Sequence, residues 1–316
     1  MTSDAASRDT LPPVSSMPAS SKPAAAFGTD AAAAQAHLAE QMRPSRTVLE
    51  TSGRRLQLFH WQRVPCDEDA RRAPLVIVHG FGEHAQRYGA LAEAVSASGR
   101  DVWAFDQCGH GTSSGPRGQL TCDEALSDLR AIIARIGREA PLPPALYGHS
   151  MGGAFAAAYV ASGAAVSALV LSAPAVHLAL RSRWQKAALR HVARRLPRFN
   201  IATVNPELLS RDPLEVRAYA EDPLNFHKPV PAVSVLAMTD AGERAFSGAD
   251  GIRAPVLLIQ GQADRIVPPG AVQAFAARLP AGARELVMLP GAFHEPHHDL
   301  DQDVTIARVA DWLARH

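Results

Sequence analysis

Short runs of consecutive apolar residues, separated by stretches of helix length, most constrain the fold of this chain. The runs are residues 75–78, 102–105, 145–147, 168–172 and 256–259. Strands that are apolar throughout, without alternation, are typical of a parallel sheet covered on both faces. Because these runs alternate with helical stretches, they predict an α/β fold with a mostly parallel, doubly wound sheet.

The regions around these runs extend the same architecture. Residues 47–49 and 56–61 predict a leading pair of strands, and residues 284–289 predict a last strand. Thr121 and Glu124 have the spacing of a capping box, in which each side chain satisfies a backbone N–H of the first helical turn. Apolar residues then recur at helical intervals, so a helix is predicted to begin there.

The first part of the chain differs in composition from the rest. Its first forty residues contain 12 Ala, 6 Ser and 4 Pro, with few large apolar side chains, so residues 1–44 are predicted to form a flexible tail. They lack the continuous apolar stretch of a secretory signal. Residues 45–316 are predicted to form one domain, in which the alternation stops for about eighty residues, too long for a plain loop. An inserted helical cap is predicted there, at about 176–250.

Charge and cysteine content exclude several classes of protein. With 32 basic against 31 acidic side chains, the net charge is +1, and a nucleic-acid partner is not predicted. Cys66, Cys108 and Cys122 cannot all pair within the chain, which favours a reducing, cytoplasmic location. The apolar runs are of strand length and far shorter than a membrane span.

The segment from Gly148 to Gly153 carries the clearest functional motif. Gly148, Ser150 and Gly152 form Gly-x-Ser-x-Gly between a predicted strand and a small-residue helix. This context is required for a nucleophile elbow, a tight turn that exposes the serine hydroxyl above the sheet. Side chains two residues on either side of the serine would collide in such a turn, which explains both glycines. Ser150 is therefore the predicted nucleophile.

A serine nucleophile requires a histidine base and a carboxylate that orients it. After an elbow of this kind the acid precedes the histidine in the chain. Asp264 follows the strand predicted at 256–259, at the carboxyl end where active-site loops lie. His294 follows the last predicted strand, but His297 and His298 are close by, and spacing alone does not choose among them. Asp264 and His294 are the predicted acid and base.

The tetrahedral intermediate of acyl transfer needs backbone donors for its oxyanion. One donor is the N–H of the residue after the nucleophile, here Met151, and the other comes from the loop after an early strand. The segment His79-Gly80-Phe81-Gly82 follows the strand predicted at 75–78, and its glycines allow close approach to a substrate. Phe81 N–H is therefore the predicted second donor.

Two motifs of other enzyme classes also occur. Residues 80–85 match G-x-G-x-x-A, and Asp106 ends the next strand, as in a dinucleotide-binding fold. That interpretation leaves the serine, acid and histidine without a role. Residues 294–298 match the zinc motif H-E-x-x-H, which needs both histidines on one helix face, but Pro296 disfavours a helix there. His297 and His298 are instead predicted to be exposed polar residues, and neither a cofactor nor a metal is predicted.

Taken together, these motifs resemble the monoglyceride lipase and lysophospholipase-like branch of the α/β hydrolases, also called serine aminopeptidase-like. The resemblance covers about residues 47–316 and rests on positions 79–84, 87–88, 106, 109–111, 113–118, 148–153, 261–264, 267–268 and 291–294, while Cys108 departs from the family pattern. It implies an α/β-hydrolase fold with Ser150 as nucleophile and Asp264 as acid. It also selects His294 as the base, and Phe81 and Met151 as the oxyanion donors. No cofactor is implied.

By this resemblance the chain is a serine hydrolase that cleaves carboxylic esters through an acyl-enzyme. The substrate that the resemblance implies is a monoacylglycerol or lysophospholipid-type single-chain lipid ester. A short-chain carboxylesterase is the alternative within enzymes, and an aminopeptidase or acyltransferase is less favoured. A catalytically silent binding module on the same fold is the alternative from another class. The complete set of serine, acid and histidine argues against it.

The predicted cap contains a strongly basic segment. Seven basic and no acidic residues lie between positions 178 and 198, with apolar residues among them at roughly helical spacing. Such a helix can rest on an anionic membrane surface and pass lipid to a buried site. Its apolar face can equally pack on the protein while its arginines face water. The sequence leaves peripheral membrane contact and simple packing as two open interpretations.

Overall fold

The structure is a computed structural model of the 316-residue chain that describes residues 43–64, 72–140, 142–176 and 183–316. The predicted tail, except its last two residues, and the first part of the basic segment lie outside the described residues. The strands are β1 Ser45–Thr51, β2 Arg54–Trp61, β3 Leu75–Val78, β4 Val102–Phe105, β5 Ala145–His149, β6 Leu169–Ser172, β7 Asn200–Ala202, β8 Val230–Pro231, β9 Val256–Gly261 and β10 Arg284–Leu289.

Helices fill the intervals between most of these strands. They are α1 Gly89–Ala97, α2 Cys122–Gly137, α3 Ser150–Ala161, α4 Arg183–Arg195, α5 Pro213–Glu221, α6 Ala232–Ser247, α7 Pro269–Arg278 and α8 Gln302–Arg315. Within the described ranges, none of these helices is both long enough and apolar enough to cross a membrane.

Eight strands form one sheet in the order β1-β2-β4-β3-β5-β6-β9-β10. The pairs β1–β2 and β2–β4 are antiparallel, and every neighbouring pair from β4 to β10 is parallel. The next strand along the chain, β4, pairs with one edge of β3. The strand after that, β5, pairs with the other edge. Ligands of open α/β sheets bind outside the carboxyl ends of the strands at such a reversal. In the parallel pair β3–β5, Val78 lies opposite Gly148. The loop that follows β3 and holds Phe81 is therefore a neighbour of the turn that follows β5 and holds Ser150.

Each face of the sheet carries its own apolar core. Val76 and Val78 of β3 belong to the core that includes residues of α2, α3, α6 and α7. Leu75 and Ile77 belong to the core formed with α1 and α8. Since side chains alternate along a strand, both sets must be apolar when both faces are covered. The mostly parallel, doubly wound α/β sheet predicted from the apolar runs is confirmed.

Helix α2 begins where the capping box predicts it. Glu124 N donates to Thr121 Oγ1 at 3.3 Å, and Thr121 N donates to Glu124 Oε2 at 2.9 Å. The buried side of the helix carries Leu129, Ile132 and Ile136. The local sequence therefore determines both the start of this helix and the face that it buries against the sheet.

Between β6 and β9 the alternation is interrupted by α4, α5, α6 and the short pair β7–β8. Leu189 and Ala193 of α4 pack on Ala232 at the start of α6. Ala241 and Ala245 of α6 belong to the same core as α3. Small side chains let α6 approach α3 closely, so this helix joins the layer over the sheet although it lies within the predicted cap region. The extent of the cap stays a prediction.

Candidate active site

The turn between β5 and α3 holds Ser150 in a backbone conformation that few residues adopt. Ser150 is the first residue of α3 and has a φ of 50°. A Cβ at Gly148 would lie 2.7 Å from Gly152 O, and one at Gly152 would lie 2.1 Å from Val78 O. Both glycines are therefore required because β3, β5 and α3 approach closely, which confirms the steric interpretation of the motif.

Ser150, His294 and Asp264 form one hydrogen-bonded chain. His294 Nε2 lies 2.9 Å from Ser150 Oγ, and His294 Nδ1 lies 2.8 Å from Asp264 Oδ2. Asp264 follows β9 and His294 follows β10, and these strands are parallel neighbours. Their carboxyl ends therefore present both side chains at the edge of the sheet where the serine lies. In this geometry an imidazole can accept the proton of a serine hydroxyl.

Three further donors orient the carboxylate of Asp264. Oδ1 accepts hydrogen bonds from Ile266 N at 2.8 Å and from Val267 N at 2.9 Å. Gln260 Nε2 donates to Oδ2 at 2.9 Å, and Gln260 is fully buried. Gln260 was not among the site residues predicted from the sequence. Its signal was a single amide side chain near the end of an otherwise apolar strand, which needs a polar partner when buried.

The electrostatics of the pair favour a basic imidazole beside an ionised carboxylate. Burial lowers the pKa of His294, but the charge of Asp264 and the hydrogen bond to it outweigh burial, so the pKa lies above its usual value. Burial raises the pKa of Asp264, yet the charge and hydrogen bond of His294 and the other donors bring it below its usual value. An opposite charge at this distance stabilises the ionised form of each group.

The loop after β3 is held on both sides of Phe81. Gly80 N donates to Glu83 Oε1 at 2.6 Å, and Phe226 N donates to Gly82 O at 2.7 Å. The rings of Phe81 and Phe226 meet edge to face with centroids 5.7 Å apart. The segment after α5 that contains Phe226 therefore fixes the loop that carries the Phe81 N–H. This contact was not predicted from the sequence.

The N–H of Met151 lies in the first turn of α3. Backbone N–H groups in the first turn of a helix have no acceptor within that helix. This N–H and the loop that carries Phe81 flank Ser150 from the neighbouring strands β5 and β3. The structure thus places both predicted oxyanion donors on the two segments beside the serine.

A cavity of about 310 Å³ contains Ser150 and His294 in its lining. The cap region and α6 contribute apolar side chains, among them Leu208, Leu209, Val230, Val235 and Met238. The loops after β3 and β10 contribute the carboxylates of Glu83 and Glu295. The cavity therefore combines an apolar wall with buried polar groups near the serine.

His297 and His298 are buried, so the prediction that they are exposed polar residues was wrong. Their exposed fractions are 2% and 8%. His298 Nδ1 lies 2.9 Å from Glu295 Oε2, and its Nε2 lies 2.8 Å from Arg87 O. The ring of His297 stacks on that of Tyr88 with centroids 4.9 Å apart. The local sequence is polar, but the partners that allow its burial come from the distant loop after β3.

The residues of the two other motifs have structural partners. Asp106 is fully buried and accepts hydrogen bonds from Ala85 N at 2.9 Å and from Thr112 N and Oγ1 at 2.8 and 2.9 Å. Asp106 therefore links the loop after β3, which contains Ala85, to the loop after β4, which contains Thr112. In the zinc-like motif, both ring nitrogens of His294 already contact Ser150 and Asp264. Among the described residues, no group of three or more His, Cys, Asp or Glu side chains is arranged to hold a metal ion.

A sequence model of the family described as serine aminopeptidase, S33, matches residues 69–301, well over half of the chain. The chain belongs to this family. The identification confirms the resemblance inferred from the motifs, since the S33 family match includes the elbow, Asp264 and His294.

Relatives of this S33 member cover most of its length. A monoacylglycerol lipase of Mycolicibacterium smegmatis is 32% identical over 249 residues, which are 78% of this chain and 89% of that protein. A monoglyceride lipase of Rattus norvegicus is 29% identical over 253 residues, covering 77% and 82%. The crystal structure of Paleococcus ferrophilus monoacylglycerol lipase is 32% identical with a TM-score of 0.74, over 83% of this chain and 99% of that one. The α/β-hydrolase fold is thereby confirmed.

Proposed function

We propose that this chain hydrolyses monoacylglycerols, or single-chain lipid esters of similar shape, through an acyl-enzyme on Ser150. The observation that carries the proposal is the hydrogen-bonded chain from Ser150 through His294 to Asp264, whose serine and histidine line a partly apolar cavity. The similarity to lipases named for monoacylglycerol supports this class of substrate. The enzyme is a serine hydrolase of carboxylic esters.

The proposed mechanism has two half-reactions. Ser150 Oγ attacks the ester carbonyl while His294 accepts its proton, and Asp264 holds the imidazole in the required tautomer. The N–H groups of Phe81 and Met151 stabilise the oxyanion. His294 then protonates the departing glycerol oxygen, and the same imidazole activates the water that releases the fatty acid.

The polar part of the cavity supports a polyol as the leaving group. Glu83 lines the cavity beside Ser150, and its Oε2 is buried without a hydrogen-bond partner. Buried polar atoms are normally paired, and a glycerol head group offers hydroxyls that donate and accept. The apolar wall is suited to the acyl chain.

The proposal predicts a preference for monoacylglycerols over esters that share only the acyl chain. We expect kcat/KM for a medium-chain monoacylglycerol to exceed that for the methyl ester of the same acid by about tenfold or more, because the methyl ester leaves polar atoms unpaired. A panel of monoacylglycerols, lysophospholipids, p-nitrophenyl esters and aminoacyl amides measures this. Activity confined to C2–C4 esters would establish the short-chain esterase instead, and amide cleavage alone would establish an aminopeptidase.

We further propose that the cap, at about 176–250, contacts anionic membranes. Several large apolar side chains near α4 are exposed, including Trp184 at 74%, Leu196 at 57% and Phe199 at 56%. Exposed arginines lie among them. The chain then continues through β7 directly into residues 202–205, which line the cavity. This continuity supports a route for lipid from a surface to Ser150.

Vesicle binding tests the membrane proposal. We expect the Arg194→Gln/Arg195→Gln/Arg198→Gln variant to bind phosphatidylglycerol-containing vesicles at least about tenfold more weakly, since each cation near such a surface contributes about 1 kcal/mol. The control carries the same charge change at exposed arginines outside the cap, Arg55→Gln/Arg138→Gln/Arg253→Gln. Equal weakening in both, or no binding by the unmodified protein, would favour simple packing of α4 on α6.

A further inference from the structure

A second carboxylate lies beside the proposed base and has no role in the mechanism above. Glu295 follows His294 in the chain and lines the same cavity. It is only 3% exposed, and its backbone N–H donates to Leu209 O at 2.8 Å. The peptide link to His294 and this anchoring fix Glu295 in the wall of the cavity that His294 also lines.

Arg87 and His298 hold the carboxylate of Glu295. Arg87 Nη2 lies 2.8 Å and His298 Nδ1 lies 2.9 Å from the same oxygen, Oε2. The Arg87 guanidinium is itself packed over the Tyr219 ring, 4.8 Å from its centroid. Burial raises the pKa of Glu295, but the charge of Arg87 and the hydrogen bond from His298 bring it far below its usual value. Glu295 is therefore ionised at neutral pH.

Burial shifts the pKa values of three groups near this site toward their neutral forms. Burial, and then the charge of Glu295, raise the pKa of Glu83. Burial, followed by neighbouring histidines, lowers the pKa of His149 to about 3 and that of His297 well below its usual value. The ring of His149 lies 4.9 Å from that of His294. These histidines therefore add no positive charge beside the base.

The phenols packed around the cluster are also neutral. Burial, as the largest cause, raises the pKa values of Tyr88, Tyr147 and Tyr219 above the usual value. Asp264, Glu295 and the Arg87 that holds Glu295 are charged groups of this cluster at neutral pH, and the Glu83 carboxyl and the His298 ring lie against Arg87 and Glu295.

We infer that Glu295 is a positioning residue for His294, where its carboxylate supplies a second negative charge that stabilises the imidazolium. The proton moves from Ser150 Oγ to His294 Nε2 as the bond from Oγ to the carbonyl carbon forms, and later from Nε2 to the leaving oxygen. Glu295 neither gives nor takes it. Burial lowers the pKa of His294, but the charges of Asp264, Glu295 and Glu83 act together to raise it above its usual value, in accord with this role. The inference rests on the proposed ester hydrolysis at Ser150.

Removal of this charge is expected to shift the pH dependence of catalysis. His294 must be deprotonated to act as a base, so kcat/KM falls as the pH drops through its pKa. In Glu295→Gln that pKa is lower, and the acid limb should move to lower pH by about half to one unit. The plateau of kcat/KM should fall about 5- to 20-fold. The measurement is the pH profile for hydrolysis of p-nitrophenyl butyrate.

Two variants separate the charge effect from a structural one. Glu295→Asp keeps the negative charge. The midpoint of the acid limb should therefore stay within about 0.2 pH unit of that of the unmodified enzyme. Asp128→Asn removes a carboxylate on α2 that is similarly buried, at 2% exposure. This carboxylate forms an ion pair with Arg54, at a distance of 2.6 Å. Asp128→Asn should lower the unfolding temperature and leave the acid limb of the kcat/KM profile at its original pH. Glu295→Met provides the uncharged side chain if the glutamine variant does not fold.

The inference is overturned if the acid limb of the uncharged variants coincides with that of the unmodified enzyme, or if Asp128→Asn shifts it equally. An unmodified enzyme that cleaves the butyrate ester but no monoacylglycerol would refute the proposed substrate and leave this test intact. An enzyme that cleaves neither would refute both proposals.

Discussion

The Ser150→Ala variant is expected to lose ester hydrolysis almost completely, with kcat/KM lowered by about 10⁵-fold or more. Without the hydroxyl, the imidazole at 2.9 Å has no nucleophile to activate, and only the oxyanion donors and the cavity remain. Hydrolysis of p-nitrophenyl butyrate measures the loss. Labelling by a fluorophosphonate probe, which needs the same nucleophile, should disappear with it.

A serine just beyond the end of the same helix is the matched control. The hydroxyl of Ser162, just after the end of α3, donates to Tyr159 O at 2.6 Å and lies outside the cavity lining. Ser162→Ala should retain both activity and labelling. More than about a hundredth of the activity in Ser150→Ala, or labelling equal to that of the unmodified protein, would support the silent binding module instead.

The Asp264→Asn variant is expected to lower kcat by about 10³- to 10⁴-fold with little change in KM. Ile266 N and Val267 N donate to one oxygen of the carboxylate, so the amide oxygen of asparagine should take that place. The amide nitrogen would then face His294 Nδ1 and donate to it. This favours the tautomer with a proton on Nε2, which cannot accept the proton of Ser150.

Steady-state kinetics with p-nitrophenyl butyrate measures this effect, and thermal unfolding shows whether the variant is folded. Asp128→Asn is again the control, because it removes a buried carboxylate far from the imidazole in sequence and on another element. It should destabilise the protein while kcat stays within a few-fold. A loss below about tenfold in Asp264→Asn would exclude the proposed role of this carboxylate.

Sequence patterns predicted the elements of this fold because each pattern is local. The apolar runs marked strands whose two faces are both buried, as the split of β3 between two cores shows. The capping box located the start of α2, and Gly148 reflected the close approach of Gly152 four positions along the chain. In each case the physical cause acts within a few positions along the chain.

The choice among three histidines required more than spacing. Family motifs selected His294, and the structure places that ring between Ser150 and Asp264. His297 and His298 were wrongly predicted as exposed. Gln260, which orients Asp264, was not predicted as a site residue, because a single amide in a strand has many possible partners.

By itself, then, the sequence determined the α/β class, the elbow at Ser150 and the chain order of acid and base. Tertiary structure alone decided the electrostatics around the base. Arg87 reaches Glu295 across 208 positions, and Ser150 reaches His294 across 144. A buried charge is stabilised only by the groups that surround it in space, and these come from distant loops brought to one edge of the sheet.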